Sequence, residues 1–205
     1  MIHLYTAGTG NGRRASVMLE ECGLSYGLTK LDLAKGEQRK PDYLAINPAG
    51  AIPAIVDDQG PGGRKVTLAQ SGAILLYLAE KTGRFLPKDP AKKAEALQWF
   101  MAVSTDIAPA SSNIFYMSQW APDKTPANQQ FCEKRFLDLL KACEGRLAKS
   151  KYLGGDEVTV ADLALIPVYD ARKDLIGKTP GFDNVKRWAA DMLARPGVKK
   201  GLSAS

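Results

Sequence analysis

Tyr5, Thr9, Asn11 and Ser16 lie close together around the glycine-rich stretch TAGTGNG at 6–12. A β-rich run, IHLY at 2–5, precedes that stretch. A helical run follows it, with Ala15, Met18, Leu19 and Cys22 at i, i+3, i+4 and i+7 and a stop at Gly23. The helix is expected to begin near Arg13. Hydroxyl and amide groups at a helix N-terminus donate hydrogen bonds to an anion, but they take no proton from it at neutral pH. Thr9 and Asn11 are equally at home in a plain turn.

A second junction of this kind falls at Gln70-Ser71, between KVTL (65–68) and an apolar helical run. The free N–H groups of a helix start suit a carboxylate, and Ser71 also suits a simple N-cap. Ile52-Pro53 opens another β run. A trans proline at a strand start and a cis turn that presents the Ile52 backbone outward both fit there. His3 is the single histidine, and Cys22, Cys132 and Cys143 form no CxxC pair. No metal site is expected from that set, and an unpaired odd cysteine count suits a reducing compartment.

The elements that position these residues come in two styles. Up to Gly83 the order is strand, helix, strand near LTKLDL (28–33), a short helical turn around 42–45, a hairpin of IPAIVD (52–57) with KVTL, and the helix SGAILLYLAEKTG (71–83). This makes an α/β layer over residues 1–83. RFLPKDP (84–90) is a linker. Residues 91–205 are read as all-helical, with clear helices at 91–108, 127–150, 159–175 and 184–195. Thr159 and Asp162 resemble a capping box with Asp in place of Glu. Trp99, Phe100, Phe136, Leu139, Leu140 and Trp188 are expected in the core.

Apolar residues make up 45% of the 205-residue chain and charged residues 24%, which are globular values. A chain this long buries roughly 70% of its unfolded surface and needs neither disulfide nor metal to fold. No window approaches the ~20 apolar residues of a membrane span. The start of the chain does not read as a secretory signal, so a cytoplasmic protein is expected. A net charge of +6 raises the question of nucleic acid. The basic residues are spread thinly and do not interleave with aromatic ones, so small anionic ligands are the expected partners.

INPAGAIPAIVD (46–57), LAQSGAILLYLAEKTG (68–83) and YLGGDEVTVADL (152–163) resemble, in this order, signature stretches of the glutathione transferase superfamily. The resemblance spans essentially the whole chain. It implies a thioredoxin-like N-terminal domain joined to an all-α domain, glutathione as cosubstrate, and a homodimer. It also implies a cis Ile52-Pro53 bond, with the Ile52 backbone pairing with the cysteinyl unit. Gln70 and Ser71 are implied at the γ-glutamyl end. Many relatives carry an acidic residue at position 70 and Lys at position 51, where this chain has Ala51. Gln38 is the first substitute for that lysine at the glycine carboxylate, with Arg39 and Lys35 behind it. The segment DLAKGEQRKPDYL (32–44) is similar to the bacterial nu class, as is TGNG (9–12), with Gly10 standing for proline. That similarity implies Asn11 and Thr9 as the sulfur contacts, followed by Tyr5 and then Ser16. The implied activity is activation of the glutathione thiol for conjugation or for disulfide or peroxide reduction, with the electrophilic or disulfide substrate expected against Ser104, Ile107, Ala108 or Phe115. A non-catalytic glutathione or hydrophobic-ligand carrier, a glutathione-dependent isomerase or dehalogenase, and an adaptor are the competing readings.

Overall fold

The structure is a computed structural model in which residues 1–204 are described. The chain divides into two compact units. One comprises Met1–Arg84 with the chain from Leu193 onward, and the other Phe85–Met192.

The first unit is built on a mixed four-stranded sheet in the order β2-β1-β3-β4. β1 (Ile2–Thr6) runs parallel to β2 (Tyr26–Lys30) and antiparallel to β3 (Ala54–Asp57). β3 in turn pairs antiparallel with β4 (Val66–Ala69). Ile2, Leu4 and Thr6 of β1 are buried while His3 and Tyr5 are half-buried, the alternation a pleated strand demands. Tyr5 lies opposite Ala54, and Ala54 opposite Ala69. The segments after β1, before β3 and after β4 therefore emerge at one end of the sheet.

α1 (Gly10–Cys22) starts earlier than the expected Arg13. Thr9 is its N-cap and accepts the Gly12 N–H at 3.1 Å. Gly12 is needed for close approach, because a Cβ there would collide with the Ala7 carbonyl and the Thr6 hydroxyl. β2 ends at Lys30 instead of running over 28–33. The Asp32 carboxylate takes the N–H groups of Ala34 and Lys35 and turns the chain. A 3₁₀ turn over Glu37–Arg39 and the single-turn α2 (Pro41–Leu44) follow. α3 (Ser71–Thr82) stops at Gly83, which is left-handed at φ 65.

α9 (Pro196–Ala204) packs on α1. A Cβ at Gly201 would press into the Val17 backbone, and Ser16 donates its hydroxyl to the Gly201 carbonyl at 2.7 Å. Arg195 grips the buried Glu21 carboxylate at 2.5 Å. The end of the expected helical stretch 91–205 thus packs with the α/β layer.

The second unit is helical. The expected single helix at 91–108 is α4 (Pro90–Met101), which passes through a π-helical turn at Ala102–Ile107 into α5 (Ala108–Gln119). α6 (Pro126–Leu147), α7 (Val160–Lys178) and α8 (Asp183–Ala194) complete it, with the last residues of α8 falling on the first unit's side of the division. Asp162, fully buried, accepts from the Leu153 N–H, the Thr159 N–H and hydroxyl, and the Trp188 indole N–H, all at 2.9–3.0 Å. Burial pushes its carboxyl up while these hydrogen bonds pull it down. Phe100, Phe136, Leu140 and Trp188 are buried as expected; Trp99 and Leu139 are only half-buried.

Candidate functional site

At the shared end of the sheet, two helix N-termini face the same region as the Ile52-Pro53 turn. Thr9 uses one lone pair as the α1 cap, which leaves its hydroxyl proton available. Asn11 is exposed and lies inside the first turn of α1, not in a loop ahead of it. Its Oδ1 accepts from Arg14 Nη1 at 3.3 Å, and the same nitrogen reaches Ser71 Oγ at 3.5 Å. Arg14 is almost fully buried, and burial lowers its guanidinium to about 10. Ser71 is the buried first residue of α3. Gln70 precedes it with φ 69 and ψ 114, its side chain exposed and not used as a cap.

The other half of the site is the loop ahead of β3. Ile52-Pro53 is cis. The Ala51 carbonyl is held by the Tyr43 hydroxyl and by Asn47 Nδ2, both at 2.6 Å. Asn47 also accepts the Ala49 N–H at 3.2 Å, so this one buried amide shapes the turn from both ends. Burial raises the Tyr43 phenol, opposed by Asn47. Arg39 Nη1 donates to the Ala49 carbonyl at 3.3 Å and lies over Gly50, which has φ 58 and no room for a side chain. Gln38 carries a buried Oε1 with no hydrogen-bond partner. Tyr5 sits between His3 and Tyr43, with ring centroids 4.7 and 6.0 Å away.

Comparison with known proteins gives this geometry a family. Residues 11–81 match the family described as Glutathione S-transferase, N-terminal domain, and residues 98–196 the Glutathione S-transferase, C-terminal domain. The chain is 36% identical over 203 residues to the disulfide-bond oxidoreductase YfcG of Escherichia coli, covering 98% of this chain and 94% of that protein. The chain belongs to the glutathione S-transferase family. A second Escherichia coli protein, the disulfide-bond oxidoreductase YghU, is 34% identical over 98% of this chain and 73% of its own length. Among solved structures, a Burkholderia graminis glutathione transferase with two glutathione molecules bound per subunit superimposes with a TM-score of 0.92. It is 34% identical, over 99% of this chain and 88% of that one. A Pseudomonas putida glutathione transferase holding one glutathione disulfide per subunit gives 0.89 at 33% identity, over 98% and 90%.

Within this glutathione S-transferase the candidates fall into two linked groups. Asn11 and Ser71 meet through Arg14. Arg39 bonds to the 47–51 turn that leads into Ile52 and Pro53, the Gln38 backbone carbonyl lies close to Gly50 of that turn, and Tyr43 links the turn to Tyr5. Ser16 is excluded from the sulfur position because its hydroxyl is committed to Gly201 of α9. Of the residues expected against a second substrate, Ile107 and Ala108 are buried. Ser104 keeps an unpartnered hydroxyl in the π-helical turn, and Phe115 is exposed beside Tyr116 and Trp120. Arg14, Tyr43 and Asn47 escaped sequence reasoning. Arg14 stands one turn before Met18 on the buried side of α1, and a charge inside an apolar stripe was the available signal.

Proposed function

We propose that this chain is a glutathione transferase of the nu-like type, working chiefly as a glutathione-dependent disulfide reductase. In this reading Thr9 and Asn11 donate to the sulfur at the start of α1, with Tyr5 behind them. Ile52 and Pro53 pair with the cysteinyl backbone, and Ser71 and Gln70 take the γ-glutamyl end. Gln38 and Arg39 take the glycine end, where Ala51 supplies no charge. A cytoplasmic homodimer, as the family resemblance implies, belongs to the same reading.

The observation that carries the proposal is a donor set without a protein thiol beside it. Thr9 and Asn11 stand at the first turn of α1, whereas Cys22 is the last residue of that helix. Cys22, Cys132 and Cys143 are all buried. Burial raises the thiols of Cys22 and Cys143, the latter to about 12, which keeps them protonated and poor nucleophiles. The electrons for disulfide reduction then come from glutathione itself. One glutathione thiolate attacks the disulfide, forming a mixed disulfide and expelling one substrate thiolate. A second glutathione thiolate attacks the glutathionyl sulfur, giving glutathione disulfide and releasing the other substrate thiolate. The helix N-terminus with its hydroxyl and amide donors favours the attacking thiolate. The relatives named disulfide-bond oxidoreductases, and the neighbours holding two glutathiones or a glutathione disulfide, support this stoichiometry.

The test is turnover of glutathione with hydroxyethyl disulfide, beside an aryl halide, for wild type, Thr9→Ala, Asn11→Ala and Tyr5→Phe. Disulfide turnover is expected to fall by about ten- to a hundredfold in the first two variants. Activity confined to the aryl halide, lost in Tyr5→Phe and kept in Asn11→Ala, would transfer the sulfur role to Tyr5. Glutathione binding with no turnover of either substrate would make the protein a carrier.

A further inference from the structure

Arg14 lies beneath both of the helix starts that the glutathione reading uses. Its Nη1 donates to Asn11 Oδ1 in the first turn of α1 and to Ser71 Oγ at the first residue of α3, 57 residues further along the chain. We infer that Arg14 is a positioning residue that sorts both groups into donors aimed at one bound glutathione, tying the sulfur end to the γ-glutamyl end. The inference rests on the glutathione reading above.

The sorting follows from what a guanidinium can do. Arginine carries five N–H donors and no acceptor, so only an oxygen lone pair satisfies it. An asparagine amide that turns its oxygen to Arg14 must turn its NH₂ the other way. A free Asn11 would present oxygen or nitrogen indifferently, and an amide oxygen facing a thiolate is repulsive. Contact with Arg14 removes that orientation. Ser71 obeys the same logic. A hydroxyl that accepts from Arg14 keeps its own proton to donate, and Ser71 also opens a helix whose first N–H groups have no intrahelical partner.

Charge works in the same direction. A buried cation near two helix N-termini adds positive potential where potential is already positive. Arg14 stays protonated at neutral pH despite its burial. An arriving thiolate and carboxylate relieve that excess, and more strongly than they would in water, because the site is partly desolvated. One residue thereby influences the sulfur end and the γ-glutamyl end together.

The test uses the full chain with Arg14→Met and Arg14→Lys, and first checks that wild type binds glutathione. Two readouts are taken. The pKa of the bound glutathione thiol is followed by the near-ultraviolet absorbance of its thiolate. The Kd for S-methylglutathione, which has no thiol to ionise, reports how the rest of the tripeptide is held, the γ-glutamyl end included, without the thiolate. Arg14→Met is expected to raise the bound thiol's pKa by about one unit and to weaken S-methylglutathione about tenfold. Arg14→Lys keeps the charge but loses the fork, so it is expected to hold most of the thiol pKa and still weaken S-methylglutathione. It carries the test if the methionine variant does not fold. In an Asn11→Ala background, the effect of Arg14→Met on the thiol pKa is expected to shrink, because the two act through one contact. Wild-type values in both arginine variants, or full additivity with Asn11→Ala, would overturn the inference while leaving the glutathione reading intact. Failure of wild type to bind glutathione would overturn that reading itself.

Discussion

Gln70 holds φ 69 and ψ 114 at the residue before α3. A conformation of that kind costs a non-glycine residue about 1–3 kcal/mol and survives only where its surroundings impose it. The side chain is exposed and makes no capping hydrogen bond that would repay the strain. The proposed γ-glutamyl contact would. Gln70→Gly is therefore expected to raise unfolding stability by about 0.5–1 kcal/mol, the relieved strain less the greater freedom of the unfolded glycine. It should also weaken glutathione about tenfold through the lost side-chain contact. Gln70→Ala separates the two effects: it loses the same contact and keeps the strain, so binding falls without any stability gain. Denaturant melts and glutathione titrations of the three proteins check this. Equal stability of the Gly and Ala variants would mean that the φ is not costly. At this scale sequence reasoning has a clear limit. Gln70 and Ser71 announce themselves by standing at a strand–helix junction, but the tie from Ser71 to Arg14 joins residues too distant in sequence for any local pattern to reveal it.

The elements were more legible than their partners, because apolar periodicity and the Gly and Pro breaks are local signals. β3 sits within the expected run 52–57, β4 is the expected run 65–68 shifted by one residue, and Gly23 and Gly83 close α1 and α3 in left-handed conformation. Starts were misplaced where glycine served packing instead of turning. The stretch up to Gly12 has the composition of a loop, yet α1 begins at Gly10, where Thr9 caps it and Gly12 passes close to Ala7 and Thr6. α9 read as part of the helical stretch, since the fit of Gly201 against Val17 leaves no periodic trace. The tie between the hairpin and α3 was equally hidden. Asp57, buried at the end of β3, accepts from the Tyr77 hydroxyl at 2.6 Å and the Gln59 N–H at 2.9 Å, and pairs with Lys81 at 2.8 Å. Burial opposes its charge, but Lys81, Tyr77 and the Gln59 N–H outweigh burial and hold the carboxyl below its ordinary value. A depressed folded pKa means stability that is complete above the unfolded value near 3.9 and is lost as pH falls through the folded one. Asp57→Asn is expected to cost about 2 kcal/mol at neutral pH. Its penalty should shrink steadily below about pH 4, where the wild-type carboxylate begins to take up its proton. Chemical denaturation of both proteins between neutral pH and acid checks this, and a penalty independent of pH would show that the Asp57 charge is not what stabilises the hairpin.

Over the whole molecule the net charge of +6 has a kinetic consequence that no single contact carries. Many basic side chains are already matched. Lys35 pairs with Asp32, Lys40 with Glu37, Lys134 and Lys141 with Asp138, Arg146 with Glu95, and Lys200 with Glu20. These pairs neutralise charge locally and leave the net excess of +6 to act at longer range. A diffuse positive field still acts on small anions, and glutathione carries a net negative charge at neutral pH that grows when its thiol ionises. Screening shortens such a field to about 10 Å at 0.1 M salt and less above it. The buried guanidinium of Arg14 and the ends of α1 and α3 act within a few ångströms and should be screened far less. Raising ionic strength from about 0.02 to 0.3 M is therefore expected to increase KM for glutathione roughly two- to threefold. The kcat with a neutral disulfide at saturating glutathione should hardly change, since only approach is being screened. A loss of kcat in step with KM would locate the salt-sensitive charges at the sulfur instead, and Arg14→Lys and Arg14→Met would then be the variants in which to repeat the titration.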